Sequence, residues 1–526
     1  MIKTMNQYGM TEWCVPGKEP AGSWADTDIA AEVTGGGETK MIRGFYAGDG
    51  IWKVRFYAEE TGGYHVKITG AEIETREFDT QCLPAAGGQH GMVRADGTHF
   101  RYADGTWFYP FGTTVYALAH QDDALAEQTL QTLSEAPFNK VRICLFPKHY
   151  DYNHNEPPCF PFSRRADAPA EEAGYTENEP AQWDPHRPNP VFWDRFEGFL
   201  ERLGAMGIQA DLIVFHPYDR WGFSKFGREQ TRVYLEYLTR RFSAFPNLWW
   251  SMANEYDIMD YTTEDWNFIE QFLHDHDPYG HLLSSHEMIV PWDFSHENVT
   301  HICHQIKNVD FVSREIAKYR KPLMVDECRY EGNLPRNWGN ISAQEMVRRF
   351  WVVTMQGGYC THGETYMSPD DIIWWARGGI LHGQSPARIA FLRGIIEGIG
   401  GPLTFNGKDM DAAAFYAMRA RIPEEEAAKN PILKLMRTAP WEQARGLVIG
   451  DRLPEGHYGD QAFIRYYDEQ CTCEGTLELP EEGSYTVEVI DSWEMTRTAV
   501  LENAHGTVRV PMPSKPGMAL LATKNG

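Results

Sequence analysis

Two glutamates stand at the ends of short apolar runs. One closes Leu248-Trp-Trp-Ser-Met-Ala-Asn-Glu255 and the other closes Pro322-Leu-Met-Val-Asp-Glu327. Runs that are apolar on both faces are expected of parallel strands buried under helices, and such strands deliver their last side chains at the carboxyl edge of a sheet. In a β/α barrel that edge carries the chemistry. Two carboxyl groups presented there are what cleavage of a glycosidic bond requires, one holding a proton and one staying ionised. The gap that separates the retaining arrangement, about 5–5.5 Å, from the inverting one, about 6.5–9.5 Å, is not a property of sequence.

The elements that must position this pair alternate regularly between residues 89 and 400. Apolar runs at Phe108 to Tyr116, Asn139 to Phe146, Gln209 to His216, Leu248 to Glu255, Leu282 to His286, Thr300 to Gln305, Leu323 to Glu327 and Tyr359 to Glu364 read as strands. Helical periodicity falls between them near 122–135, 191–206, 228–244, 262–276, 309–320, 342–356 and 385–399. Eight such repeats predict closure into a (β/α)8 TIM barrel. An open doubly wound sheet is the rival, but no Gly-x-Gly-x-x-Gly follows the first strand. Counted from Phe108, Glu255 ends strand four and Glu327 strand seven, and those tips face each other across the mouth.

A chain of 526 residues exceeds one ordinary core. Residues 1–87 alternate with period two and predict an N-terminal β-sandwich, with Ile51–Tyr57 and Tyr64–Ile68 forming a hairpin around a glycine turn. The barrel then occupies 88–410. Residues 411–526 predict a linker helix near Ala427–Met436 and a C-terminal β-sandwich. The loop at 147–190 is long enough for a lid or binding segment, and it offers Asp151, Tyr152 and His154 to a substrate.

A formal charge of −25 argues against a nucleic-acid partner and weighs against polyanionic substrates. No basic-then-apolar leader opens the chain and no run of 18 apolar residues occurs, so a cytoplasmic protein with no membrane partner is expected. Nine scattered cysteines fit the same compartment. The 17 tryptophans suit sugar binding, because pyranose C–H faces stack on aromatic rings. His362-Gly-Glu364 lacks a His-Glu-x-x-His context or a third ligand, so neither a metal nor another cofactor is expected.

Asn254-Glu255 on strand four and Glu327 on strand seven resemble the clan A retaining glycoside hydrolases. More narrowly, the layout resembles bacterial glycosidases related to the apiosidase family. Gly44–Phe56, Thr361-His-Gly-Glu-Thr-Tyr366 and Ile373-Trp-Trp-Ala-Arg377 support the likeness. The resemblance implies Glu255 as general acid/base and Glu327 as nucleophile. Arg142, at the end of strand two, is then the cation that keeps Glu327 ionised. Asn254 would bond the sugar's 2-hydroxyl. His304 would orient Glu327 or meet the substrate. His216 and Tyr116 would point into the mouth, as would His362 and Glu364, the latter as a rival carboxylate. Trp374 or Trp375 would floor the sugar site. The function expected is a retaining O-glycosidase, exo-acting on a neutral oligosaccharide or small glycoside. An endo-acting glycanase, a non-catalytic carbohydrate-binding barrel and a metal-dependent hydrolase are the alternatives, and a homo-oligomer is left open.

Overall fold

The computed structural model describes residues 4–166, 168, 182–367, 369, 372–406, 412–444 and 453–526. The eight apolar runs become parallel strands: β1 Phe111–Thr114, β2 Lys140–Cys144, β3 Gln209–Phe215, β4 Leu248–Ala253, β5 Leu283–Ser284, β6 Ile302–Gln305, β7 Leu323–Glu327 and β8 Tyr359–His362. Their order in space is β5-β4-β3-β2-β1-β8-β7-β6, a barrel interrupted only between β5 and β6. Hydrogen bonds bridge that interruption. Thr300 N donates to the Leu283 carbonyl at 2.9 Å, Leu283 N to Thr300 Oγ1 at 2.8 Å and Ser284 Oγ to the His301 carbonyl at 2.7 Å.

The helices fall at α1 Asp123–Glu135, α2 Pro190–Ala205, α3 Arg228–Phe242, α4 Thr263–His276, α5 Val312–Tyr319, α6 Ala343–Thr354, α7 Trp374–Arg377 and α8 Ser385–Ile399. Side-chain caps set several starts: Asp122 accepts from Leu125 N, Thr262 from Asp265 N and Ser342 from Glu345 N. The strands are buried on both faces because helices cover the outside and side chains fill the inside. Trp249 packs inward against Phe100, centroids 5.0 Å apart, whereas Trp250 donates outward to Asp277 beyond the end of α4 at 3.1 Å.

The first expected strand, Phe108 to Tyr116, proves to be two elements. Pro110 has no N–H to give a ladder, and it separates β1 from Trp107–Phe108. The latter joins Val93–Asp96 and His99–Tyr102 in a small antiparallel sheet. That sheet plugs the amino end of the barrel, where Phe100 also meets Tyr359 at 5.3 Å.

Before the plug lie a five-stranded and a three-stranded sheet. The expected hairpin is corrected here. Ile51–Tyr57 pairs with Met10–Pro16 and Phe45–Gly48, while Gly62–Gly70 pairs with Ile29–Gly35 and Arg76–Leu83. The glycine turn therefore crosses between sheets. Ile51–Tyr57 is drawn to the barrel because Arg55 is satisfied there: Nη1 donates to Glu197 of α2 at 2.5 Å and to the Arg241 carbonyl of α3 at 2.8 Å.

At the other end, the expected helix near Ala427–Met436 is split. Helices Glu424–Lys429 and Pro431–Thr438 meet at Asn430, whose backbone is extended ahead of Pro431 and whose side chain caps the second helix. A two-stranded sheet follows, as do five strands of a six-stranded one whose sixth, Thr404–Asn406, comes before these helices and pairs with Glu455–Tyr458. They dock on α6, where Trp351 stacks on Tyr466 at 5.0 Å and Arg348 Nη2 donates to Asp468 at 3.0 Å. No helix among the described residues is long and apolar enough to cross a membrane.

Candidate active site

A charged ladder inside the barrel supports the mouth. Lys140 of β2 bonds Asp211 of β3 at 2.6 Å and Asp326 of β7 at 2.8 Å, all fully or almost fully buried. One residue pair higher, Arg142 lies 3.5 Å from Asp211 and 3.8 Å from Asp326 through Nε. Its Nη1 reaches to 3.9 Å from Glu327 Oε1 and its Nη2 donates to Asn254 Oδ1 at 3.4 Å. Burial alone would raise the Asp326 carboxyl, but Lys140 and Arg142 outweigh it and hold that group far below the usual range. The spacing of two along β2 places both cations on the inner face.

Glu255 and Glu327 line one cavity of about 870 Å³ at the carboxyl end of the barrel. That volume lies in the range of small-molecule sites, about 300–1,000 Å³. Glu255 follows β4 with a left-handed backbone, φ 55°, a strained conformation for a side chain of its size. Its Oε2 accepts from the Tyr218 hydroxyl. With its nitrogen turned towards acceptors, the Gln305 amide also donates to Glu255 Oε1 at 3.2 Å. Burial, and after it the charge of Glu327, pushes the Glu255 carboxyl up to about 7, against the opposing effects of Tyr218 and Lys148. The Tyr116 hydroxyl lies within hydrogen-bond reach of both Glu327 Oε1 and Asn254 Oδ1, the latter at 2.9 Å, and its one proton is shared between them. One carboxyl group is thus placed to hold a proton at neutral pH, while the other faces a guanidinium and a phenol.

The remaining sequence candidates divide. Tyr116, Asn254 and Trp375 line the cavity, and so do Asp151 and Tyr152 of the long loop. Residues 167 and 169–181 of that loop lie outside the described residues. Arg142 acts from beneath. The others are held elsewhere, each by a bond or ring contact outside the cavity lining. His304 pairs through Nδ1 with Glu287 at 2.7 Å, and its neighbour Gln305 faces the cavity instead. His216 bonds the Phe146 carbonyl at 3.1 Å, and burial pushes it down to about 3. His362 bonds Thr113 at 3.2 Å and stacks on Phe138; burial takes it to about 3 as well. Trp374 donates to Thr113 at 2.9 Å on the same outer face, since Thr113 is in register with Val141 and His362 rather than with Lys140. His154 packs edge-on against His149.

Glu364 is a structural clasp. It accepts from the backbone of His382 and Gly383, at 2.5 and 2.8 Å, and Glu331 accepts likewise from Gln384 at 2.8 Å, so the two carboxyl groups fasten the start of α8. Gly363, between His362 and Glu364, serves close packing: a Cβ there would lie 2.0 Å from the Tyr330 ring at the cavity wall. Among the described residues no three or more His, Cys, Asp or Glu side chains group as a metal site.

Several cavity residues were not anticipated: Lys148, Tyr150, Tyr218, Gln305, Tyr330 and Trp338. Lys148 and Tyr218 each follow a proline just past a strand end, in Phe146-Pro-Lys148 and His216-Pro-Tyr218. Those parallel dipeptides were the available signal. His286 was also missed; its Nε2 lies 3.9 Å from Glu327 Oε1, and burial keeps it neutral.

An eight-stranded parallel barrel whose mouth holds two such carboxyl groups belongs to the TIM-barrel glycoside hydrolases, and comparison with known proteins agrees. Residues 94–381, more than half the chain, match the apiosidase-like catalytic domain, and the chain belongs to that family of glycosidases. Residues 4–70 and 451–523 match two domains of unknown function. A candidate glycoside hydrolase from Bacteroides vulgatus is 30% identical over 100% of both chains, with a TM-score of 0.83. A family 5 glycoside hydrolase from the same organism shares the fold at 13% identity, covering 83% of this chain and 93% of its own, with a TM-score of 0.58. No curated protein matches the chain.

Proposed function

We propose that the protein is a retaining, exo-acting O-glycosidase in which Glu327 is the nucleophile and Glu255 the acid/base. The observation that carries this reading is the contrast between the two groups in one cavity. The Glu255 carboxyl is pushed up to about 7 by burial and by its partner's charge, while Glu327 is met by Tyr116 and Arg142.

The Glu327 carboxylate attacks the anomeric carbon as the glycosidic C–O bond breaks, and the Glu255 proton passes to the departing oxygen. The ester so formed on Glu327 is then hydrolysed by water. Glu255, now ionised, takes the water's proton as its oxygen bonds the anomeric carbon, and the Glu327 carboxylate leaves. Asn254 Oδ1 is engaged by Tyr116 and Arg142, which leaves its NH₂ to meet a sugar hydroxyl. Trp375 offers a ring face within an aromatic cluster that includes Tyr330 at 5.5 Å and Trp338 at 5.1 Å.

The exo assignment is supported by two loops that meet at the cavity wall, Tyr150 to Tyr152 and Arg329 to Trp338, with Tyr152 packed on Trp338 at 5.9 Å. They favour the end of a short oligosaccharide or a small glycoside over the middle of a long chain. On the same reading the flanking sheets are β-sandwich modules that brace the barrel. Proton NMR of the first product released from a cleaved 4-nitrophenyl glycoside tests the mechanism. Release of the substrate's own anomer is expected, and release of the opposite anomer would overturn the double displacement.

A further inference from the structure

We propose that Lys148 is a glycone-binding residue whose ammonium, boxed by aromatic rings at the cavity wall, donates hydrogen bonds to oxygen atoms of the sugar held between Glu255 and Glu327. The inference rests on reading the cavity as the glycoside site. Nothing in the resemblance or the family match assigns this lysine a role.

Lys148 is 1% exposed yet lines the cavity. Its Nζ lies 3.6, 4.4 and 4.6 Å from the ring centroids of Tyr116, Tyr218 and Tyr150, and 5.7 Å from that of Trp375. The backbone is pinned independently of the side chain. Lys148 N donates to His120 Nδ1 at 3.1 Å, and its carbonyl accepts from Asn153 Nδ2 at 2.6 Å. Among the described residues these are the only hydrogen bonds of Lys148, and none comes from Nζ.

An ammonium has three N–H donors and no acceptor capacity. Ring faces can balance its charge, but they do not take its hydrogen bonds as oxygen does. Burying such a group is costly unless it is paired, and a leucine or methionine would fill the same space at less cost. The two nearest rings carry the hydroxyls that bond Glu327 and Glu255, so the ammonium sits between the partners of both carboxyl groups. A sugar reaching Glu327 therefore passes within reach of Nζ. The oxygens that satisfy it are either the hydroxyls of a neutral glycone or the carboxylate of a uronic acid.

The test uses the whole enzyme, with Lys148→Met removing the charge at nearly constant volume. Wild type and variant are compared on 4-nitrophenyl glycosides of neutral pentoses and hexoses and of uronic acids, by turnover and by the tryptophan fluorescence change on binding. The expected result is a melting temperature equal to or above that of wild type and a fall in kcat/KM of about 10–100-fold, the worth of a hydrogen bond from a charged donor. Loss on neutral glycosides identifies hydroxyl recognition, and loss confined to uronides identifies carboxylate recognition; either supports the proposal.

A second readout separates binding from packing. The groups facing Nζ are Glu255, Glu327, Arg142 and Cys144, besides the boxing phenols. Removing the ammonium should move the basic limb of the pH profile upward, since Glu255 loses a cation that favours its ionised form. If Lys148→Met does not fold, Lys148→Arg keeps the charge, and a raised KM with an unshifted profile is expected. Values of kcat/KM within threefold of wild type on every cleaved glycoside, with an unmoved profile, would overturn the proposal. Should wild type bind a sugar but cleave none, equal binding by the variant sinks the lysine's role, whereas lost binding sustains it and sinks only the hydrolase reading. A panel neither bound nor cleaved by wild type would refute both.

Discussion

At the scale of single residues the account depends on two carboxyl groups with opposite tasks. Glu255→Gln should lower kcat/KM by about 10²–10⁴-fold on substrates with alkoxide leaving groups and much less on 4-nitrophenyl glycosides, whose phenolate departs without a proton, while kcat falls on both because the ester on Glu327 loses its general base. Glu327→Ala should abolish turnover of both kinds with the fold intact by circular dichroism. An alanine variant as active as wild type would remove Glu327 from the mechanism. The pH dependence follows from the same pair. The acid works only while protonated, so kcat/KM should decline as pH rises through about 7, the value at which burial and Glu327 place the Glu255 carboxyl. Tyr218 donates to Glu255 and so favours the ionised form, and Tyr218→Phe should carry that decline to higher pH. A basic limb indifferent to Tyr218 would show that another group controls it.

The elements make this pair possible by ending strands at set depths. Glu255 and Glu327 were legible because each closes an apolar run, a pattern that survives in sequence. Helix positions were legible for a similar reason, since amphipathic periodicity and polar caps are local. What escaped notice depends on side-chain direction and on loops. His304, His216 and His362 sit at the expected strand ends, yet strand alternation and irregular backbone after the last ladder bond turn them into the wall, and Trp374 opens α7 with its indole N–H on Thr113. Lys148 and Tyr218 lie four and three residues past the ends of β2 and β3, where no periodicity marks them. The ladder beneath the site was half visible, for Arg142 was anticipated while Lys140, Asp211 and Asp326 were not. Breaking it should be costly. Lys140→Met leaves two buried carboxylates, Asp211 and Asp326, with Arg142 as their remaining cation, and urea unfolding should register a loss of about 3–5 kcal/mol. A loss below about 1 kcal/mol would mean that Arg142 alone balances both carboxylates.

For the molecule as a whole, the flanking sheets are fastened to helices of the barrel by polar contacts far from the mouth. Arg55 bonds Glu12 at 2.9 Å in its own sheet and Glu197 at 2.5 Å across the junction. Removing it leaves Glu197 with Arg241 as its remaining cation. Arg55→Leu should therefore lower the melting temperature by several degrees while kcat at 25 °C stays close to wild type. A large fall in kcat in the folded variant would show that the amino-terminal sheets shape the site. That sheets lie before and after the barrel was readable from changes in period along the chain. The pairing of Ile51–Tyr57 away from Gly62–Gly70 was not, because which sheet a strand joins is decided by Arg55's partners some 140 residues distant in sequence.

The most direct test of the central claim is covalent trapping. The enzyme is incubated with the 2-deoxy-2-fluoro glycoside that corresponds to its best aryl substrate, and the labelled peptide is read by mass spectrometry. The expected adduct is one fluorosugar on the peptide that carries Glu327. An adduct on Glu255 or Glu364, or inactivation-free turnover with inversion of the anomeric centre, would contradict the account.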